Sequence, residues 1–184
     1  MKQRQIGAGV ALTTLALVSF SSIGFAKDVT TSGKMSTSET QDIVNTLRTK
    51  GNFHKMLSGL EIAFDLDNEL KGKGPFTVFA ADDKAWAKIN QADQDTLFNN
   101  KNKLAQVLSY QVLKGDKLDS KALESMTAVK SMEGHEIKLS IRKDDDKKTD
   151  GLYVDKARVK DADIQCSNGI IHIVDQPIMP PLAE

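Results

Sequence analysis

The most informative stretch of the chain lies near its end, where Asn168–Pro181 reads NGIIHIVDQPIMPP. Asn-Gly is a strong turn signal because both residues tolerate a positive φ. The residues that follow, Ile170–Val174, favour a β-strand and are apolar on both alternating faces apart from His172. Such a strand is typical of one that is covered on both sides. Prolines then remove backbone donors and end the sheet, at Pro177, Pro180 and Pro181.

A second stretch, Gly74–Trp86, reads GPFTVFAADDKAW. Gly74-Pro75 marks a turn into a buried strand, Phe76–Phe79. Asp82 is then placed to cap a helix, and Asp83 adds favourable charge to its first turn. The inner face of this helix is predicted to consist of Ala85, Trp86 and Ile89.

Helical spacing dominates the first half of the chain and strand alternation the second, which predicts an α+β domain. Asn52 is predicted to cap a helix whose apolar face runs from Phe53 to Phe64. Asp93 or Asp95 is predicted to begin another helix. Short strands are expected at Thr127–Met132, His135–Ile141, Leu152–Val154 and Ala157–Val159.

The first residues predict a leader for export. Lys2 and Arg4 precede an uncharged run that ends with the small residues of Gly24-Phe25-Ala26. We therefore expect a signal peptide at 1–26, a flexible tether rich in Ser, Thr and Gly at 27–38, and one domain at 39–182. An uncleaved membrane anchor is the alternative. After cleavage no stable anchor is expected, and the protein is predicted to be periplasmic or secreted.

Charge and cysteine content narrow the classes of partner. The leader holds two bases and no acid, so its removal takes the net charge from 0 to −2. A chain this close to neutral lacks the basic field that binding to nucleic acid needs. Cys166 is the sole cysteine, so no disulfide can form within the chain. We interpret it as a small buried residue beside the turn, and the alternative is a thiol that links two chains.

Taken together, the two stretches resemble the two signature motifs of the fasciclin domain. LAQVLSYQVLKGDKL, GHEIKLSI and GLYVDKARVKDADI match later segments of that family in the same order, so the resemblance covers Glu39–Pro181. It implies a wedge of β-strands with helices packed along one side, in which the two signature strands are neighbours. It also implies an extracytoplasmic binding domain of cell adhesion or matrix attachment, without enzymatic activity. The motif residues that it assigns to the structure are Thr77, Phe79, Asp82, Asn168, Gly169, His172 and Asp175.

The resemblance also suggests where a partner would bind. The family's central Tyr-His motif is Tyr110-Gln111 here, which weakens that assignment. Asp163-Ile164 stands where animal members carry an adhesion-linked Asp-Ile pair. We predict partner binding at Tyr110, Asp163 and Ile164. The alternatives are a core tyrosine and an ordinary strand end with Ile164 buried.

Catalytic and metal chemistry find little support in the sequence. No Gly-x-Ser-x-Gly motif exists, and Cys166 has no orienting third group near His172. The alternating acids that start at Asp65 and at Asp144 lack the glycine and glutamate of a calcium loop. His172 is interpreted as a neutral, hydrogen-bonded core histidine and Asp175 as a backbone partner. We expect no metal, no cofactor and no enzyme.

Two functions remain open from the sequence. The first is an exported binding module that contacts a protein or a cell-surface or matrix component. The second is a carrier of an apolar small molecule, pigment-like or lipid-like, although an aromatic content of 5% is low for such a pocket.

Overall fold

The computed structural model describes residues 40–143 and 150–181. The predicted signal peptide and tether lie outside these residues. The acids that start at Asp144 fall there too. In the described ranges no helix is long and apolar enough to cross a membrane.

Helices occupy most of the first half of the domain. The described residues form the helices α1 (Ile43–Lys50), α2 (His54–Ile62), α3 (Phe64–Leu70), α4 (Asp83–Trp86), α5 (Gln91–Phe98), α6 (Lys101–Tyr110) and α7 (Ser120–Glu124). The side chains of Asp42 and Asp82 accept backbone N–H groups at the starts of α1 and α4. Gly51, with a φ of 72°, ends α1. Of these, the cap at Asp82 was predicted from the sequence.

The strands form one mixed sheet. They are β1 (Phe76–Ala81), β2 (Val112–Lys114), β3 (Ala128–Lys130), β4 (Glu136–Lys143), β5 (Asp150–Val154), β6 (Ala157–Cys166) and β7 (Gly169–Val174). Their order across the described sheet is β2-β1-β7-β6-β5-β4-β3. Only β1 and β7 run parallel, with Phe76 opposite Gly169, and the other described pairs are antiparallel.

The two signature strands lie at the heart of the core. Every residue of β1 and of β7 is buried, as expected for strands covered on both faces. Helices α6, α4 and α1 pack against β2, β1 and β7, which are consecutive in the sheet, while α7 packs against β4. Two register shifts interrupt the pairing of β6 with β7, between Val159 and Ile164.

Two helix starts differ from the predictions. Asn52 does not cap α2, because the helix begins at His54 and Asp83 accepts the N–H of Lys55 at 2.9 Å from another element. Helix α5 begins at Gln91 and not at Asp93 or Asp95, since the Asn90 side chain accepts the N–H of Ala92 at 2.7 Å. In both cases a side-chain acceptor other than the predicted one bonds to the free N–H groups of the first turn.

Apolar spacing failed at two further helices. Phe64 is 61% exposed, because α2 ends before Ala63 and Phe64 begins a separate helix, α3, and does not continue the apolar face of α2. The short α7 was not predicted, although Asp119 caps it by accepting the N–H of Ala122 at 2.8 Å.

Candidate functional site

Asn168 ties four backbone segments together beside the signature strands. Its Oδ1 accepts the N–H of Ile43 at 3.0 Å, and its Nδ2 donates to Leu70 O at 2.7 Å and to Gly72 O at 3.0 Å. Its carbonyl accepts the N–H of Phe76 at 3.0 Å. The side chain therefore joins α1 and the end of α3 to the start of the parallel pair.

Two glycines allow β1 and β7 to approach. A Cβ on Gly169 would lie 2.2 Å from Phe76 O, and one on Gly74 would lie 1.8 Å from Asn168 O. Neither Asn168 nor Gly169 has a positive φ, so the Asn-Gly pair is needed for a reason other than the one the turn signal suggested. The asparagine supplies hydrogen bonds, and the glycine supplies space.

Thr77 and Phe79 extend the motif along β1. The hydroxyl of Thr77 donates to Asp116 O and accepts the N–H of Leu118, both at 2.9 Å. Phe79 is fully buried, and its ring centroid lies 5.8 Å from that of His172. Thr77 thus holds the segment between β2 and α7 against the sheet.

His172 is fully buried on β7 and has a partner on each ring nitrogen. Its Nε2 lies 2.9 Å from Leu118 O, and its Nδ1 accepts the N–H of Asp163 at 3.4 Å. Burial lowers the pKa of His172, although the contact with Leu118 and the charge of Asp163 act in the opposite direction. The placement agrees with a neutral, hydrogen-bonded core histidine.

Asp163 stands exposed on β6 with a φ of 62°, within the irregular part of that strand. Its carboxylate accepts the N–H of Ser120 at 2.7 Å and the hydroxyl of Ser120 at 2.6 Å, at the start of α7. Burial acts to raise the pKa of Asp163, but the bonds from Ser120 and the positive charge of Lys121 oppose it, and the pKa is lowered. The group is therefore an anion in a fixed position.

Ile164 is half-buried next to Asp163 and lies opposite Ile171 in the sheet. It packs against the edge of the core. An exposed carboxylate and a partly exposed aliphatic side chain are thus carried by consecutive residues of β6.

Tyr110 does not belong to this surface. It is 2% exposed, and its hydroxyl donates to Asp155 Oδ2 at 2.9 Å and lies 3.1 Å from Glu136 O. Burial and the neighbouring carboxylate of Asp155 raise the pKa of Tyr110. The prediction of Tyr110 as a surface anchor is corrected here, because the tyrosine fixes the β5–β6 turn from within the core.

The remaining motif residues hold local structure. Asp82 Oδ1 accepts the N–H of Ala85 at 2.7 Å, and its other oxygen pairs with Lys160. Asp175 accepts the N–H of Arg158 at 2.8 Å and binds Lys88 Nζ at 2.9 Å, as a backbone partner should. Both carboxylates join elements that are distant in sequence.

Cys166 is a free, buried thiol with 2% of its surface exposed. Its Sγ donates to Thr46 Oγ1 at 3.4 Å. Burial raises the pKa of this thiol, and the bond to Thr46 opposes the shift. Among the described residues, no three His, Cys, Asp or Glu side chains converge in a way that would hold a metal ion.

Three residues of the site were not predicted from the sequence. Ser120 donates hydrogen bonds to Asp163, the carbonyl of Leu118 bonds to the His172 ring, and the carboxylate of Asp155 accepts the hydroxyl of Tyr110. The signal for Ser120 was present, since Asp119-Ser120 followed by Leu123 is a helix start. Nothing local indicates the pairings with Leu118 and Asp155, because each spans at least 45 residues.

Comparison with known families gives one clear match. The family model of the fasciclin domain matches residues 51–180. The chain is 32% identical over 186 residues to protein sll1483 of Synechocystis sp., with 97% of each chain covered.

An animal relative and a solved structure also match the chain. The chain is 27% identical to the transforming growth factor-beta-induced protein ig-h3 of Sus scrofa, with 82% of this chain but only 21% of that protein covered. The FAS1 domain pair from the insect cell adhesion molecule Fasciclin I matches with a TM-score of 0.67 at 15% identity, covering 77% of this chain and 52% of that one. This likeness confirms the predicted α+β fold.

Proposed function

Because the chain belongs to the fasciclin-domain family, we propose that it is an exported, non-enzymatic binding module that acts in adhesion or in protein contacts at the cell envelope. The family is one of adhesion-type domains without enzymatic activity, and its animal members are related to adhesion. The partner of this chain would be a protein or a cell-surface or matrix component.

The observation that carries the proposal is the fixed anion on β6. Asp163 is exposed, yet both of its oxygens are held by Ser120. A side chain held in this way loses little conformational freedom on binding, so more of its interaction energy appears as affinity. With Ile164 beside it, Asp163 offers a partner one charged and one apolar contact.

The test separates the charge of Asp163 from its structural role. Asp163→Asn keeps an oxygen for the N–H of Ser120, and its amide can donate to the hydroxyl. Asparagine also tolerates a positive φ. We expect beads coated with the variant to lose retention on cells of the source organism, while the melting temperature stays that of the original protein.

The matched control is Asp161→Asn, which removes the same charge from an exposed position two residues earlier on β6 and leaves Asp163 and Ser120 in place. It should retain binding to cells. Undiminished retention of beads coated with Asp163→Asn would show that the binding surface lies elsewhere.

A second candidate, the carrier of an apolar small molecule, is favoured by a groove of about 670 Å³ between α2, α4 and α5. Phe98 and Ile89 line it, Lys55 Nζ lies 5.4 Å from the centre of the Phe98 ring, and the buried indole N–H of Trp86 below it has no partner among the described residues. Native mass spectrometry of protein isolated from its source tests this function. Added mass of an apolar molecule supports it, and a bare chain contradicts it.

A further inference from the structure

The two ends of the sheet meet at one point and then separate. β2 and β3 are the end strands of the described sheet, but the N–H of Met132 donates to Val112 O at 2.7 Å. Among the described residues, no other backbone hydrogen bond joins the two edges. Beyond this contact lies an open groove of about 520 Å³, whose apolar lining includes Leu113, Leu118, Met126, Val129 and Met132.

The backbone of β3 leaves unpaired groups on its open edge, which borders this groove. Its hydrogen bonds to β4 flank the strand, from Leu139 N–H to Thr127 O at 2.8 Å and from Ser131 N–H to His135 O at 2.9 Å. Because hydrogen-bonded and non-hydrogen-bonded positions alternate in an antiparallel ladder, Val129 faces β4. Ala128 and Lys130 therefore turn their N–H and C=O groups away from β4, and no described strand pairs with them there.

The backbone of β2 does the same from the other side. Its bonds to β1 are flanked by those from Phe79 N–H to Gln111 O and from Gly115 N–H to Pro75 O, both at 2.9 Å. By the same alternation Leu113 faces β1, and Lys114 turns its N–H and C=O away from it. Two sheet edges thus face one groove with unpaired donors and acceptors.

The side chains of the two edges follow the same pattern. On each edge an aliphatic residue, Leu113 or Val129, alternates with an exposed lysine, Lys114 or Lys130. Lys114 pairs with Glu69, whereas Lys130 has no ion pair among the described residues. A strand placed between these edges would meet apolar neighbours at every second position and a positive charge at the positions between.

We propose that an extended peptide segment with alternating apolar and acidic side chains binds as an added strand between β2 and β3. Its backbone takes the free groups of Ala128, Lys130 and Lys114, and its acidic side chains lie beside Lys130. This is partner recognition by strand addition. The inference rests on the proposed binding function and names the kind of segment that a partner offers.

The experiment uses a fluorescein-labelled peptide, acetyl-Glu-Val-Glu-Val-Glu-Val-amide, and the full mature protein. We expect saturable binding by fluorescence anisotropy, with amide NMR shifts at 112–114 and 128–132. Ala128→Pro removes an N–H on the open edge of β3, pointing away from β4, and breaks no bond to β4. It should weaken binding about tenfold or more, whereas the matched variant Ala128→Ser, which keeps the N–H, should not.

A charge exchange provides a second, independent readout that does not depend on how well Ala128→Pro folds. Lys130→Glu should weaken the binding of the glutamate peptide and strengthen the binding of a Lys-Val-Lys-Val-Lys-Val peptide. Equal affinity of the well-folded Ala128→Pro variant and the original protein overturns the proposal, as do NMR shifts confined to Asp163 and Ile164.

The experiments distinguish a failure of the strand-addition proposal from a failure of the proposed adhesion function. A protein that adheres to cells but does not bind the peptide overturns strand addition alone. A protein that binds the peptide at β2 and β3 but does not adhere to cells overturns the adhesion role and leaves the edge site standing.

Discussion

His172 is the residue on which three parts of the chain converge. Its ring contacts Phe79 on β1, Leu118 before α7 and the backbone of Asp163 on β6. The carbonyl of Leu118 faces Nε2, and the N–H of Asp163 faces Nδ1. Because a carbonyl can only accept and an N–H can only donate, the ring is the tautomer with its proton on Nε2. A second proton on Nδ1 would point at the N–H of Asp163, where no acceptor exists.

We predict a pH dependence of stability from this geometry. Burial lowers the pKa of His172 in the fold, so below about pH 6.5 the unfolded chain binds the proton more readily than the folded one. The free energy of unfolding should be independent of this residue above that pH and fall as the pH is lowered from it. Urea unfolding at several pH values measures the slope, and His172→Gln, which cannot titrate, should flatten it. An equal slope in both proteins would assign the effect to other groups.

At the scale of elements, the sequence predicted those strands and helix ends that depend on residues close together in the chain. The two signature strands and the cap at Asp82 follow from local pattern, and all are present. What it missed depends on residues distant in sequence. Asp83, and not Asn52, accepts a backbone N–H at the start of α2. The hydroxyl of Tyr110 donates to Asp155, which lies 45 residues away in the sequence. Sequence spacing cannot show which buried partner a tyrosine hydroxyl meets.

The parallel pairing of β1 with β7 depends on Gly169. In Gly169→Ala the new methyl group would lie 2.2 Å from Phe76 O, and backbone atoms on both strands must move to admit it. We expect the free energy of unfolding to fall by about 3 kcal/mol. Denaturant unfolding checks this, with Ser167→Ala on the exposed turn before it as the control. A loss as small as that of the control would show that the two strands separate easily.

At the scale of the whole molecule, one segment serves both proposed surfaces. Leu118 lines the groove between β2 and β3 and accepts from His172, while Ser120 holds Asp163. Thr77 ties the same segment to β1. Two surfaces on one domain would let a single chain engage two partners, and linked contacts of this kind raise the strength of attachment above that of either alone.

Whether a disulfide can link two chains depends on Cys166, the sole cysteine of the sequence. The thiol is buried where β6 turns into β7, and burial raises its pKa, so both access and thiolate formation are suppressed. We predict that Ellman's reagent labels the native protein slowly and the urea-unfolded protein at once, and that native mass spectrometry gives one mass with and without reductant. A doubled mass that reductant halves would require the end of the β6–β7 hairpin to open and Cys166 to link two chains. The adhesive unit would then be a covalent pair carrying two copies of each surface.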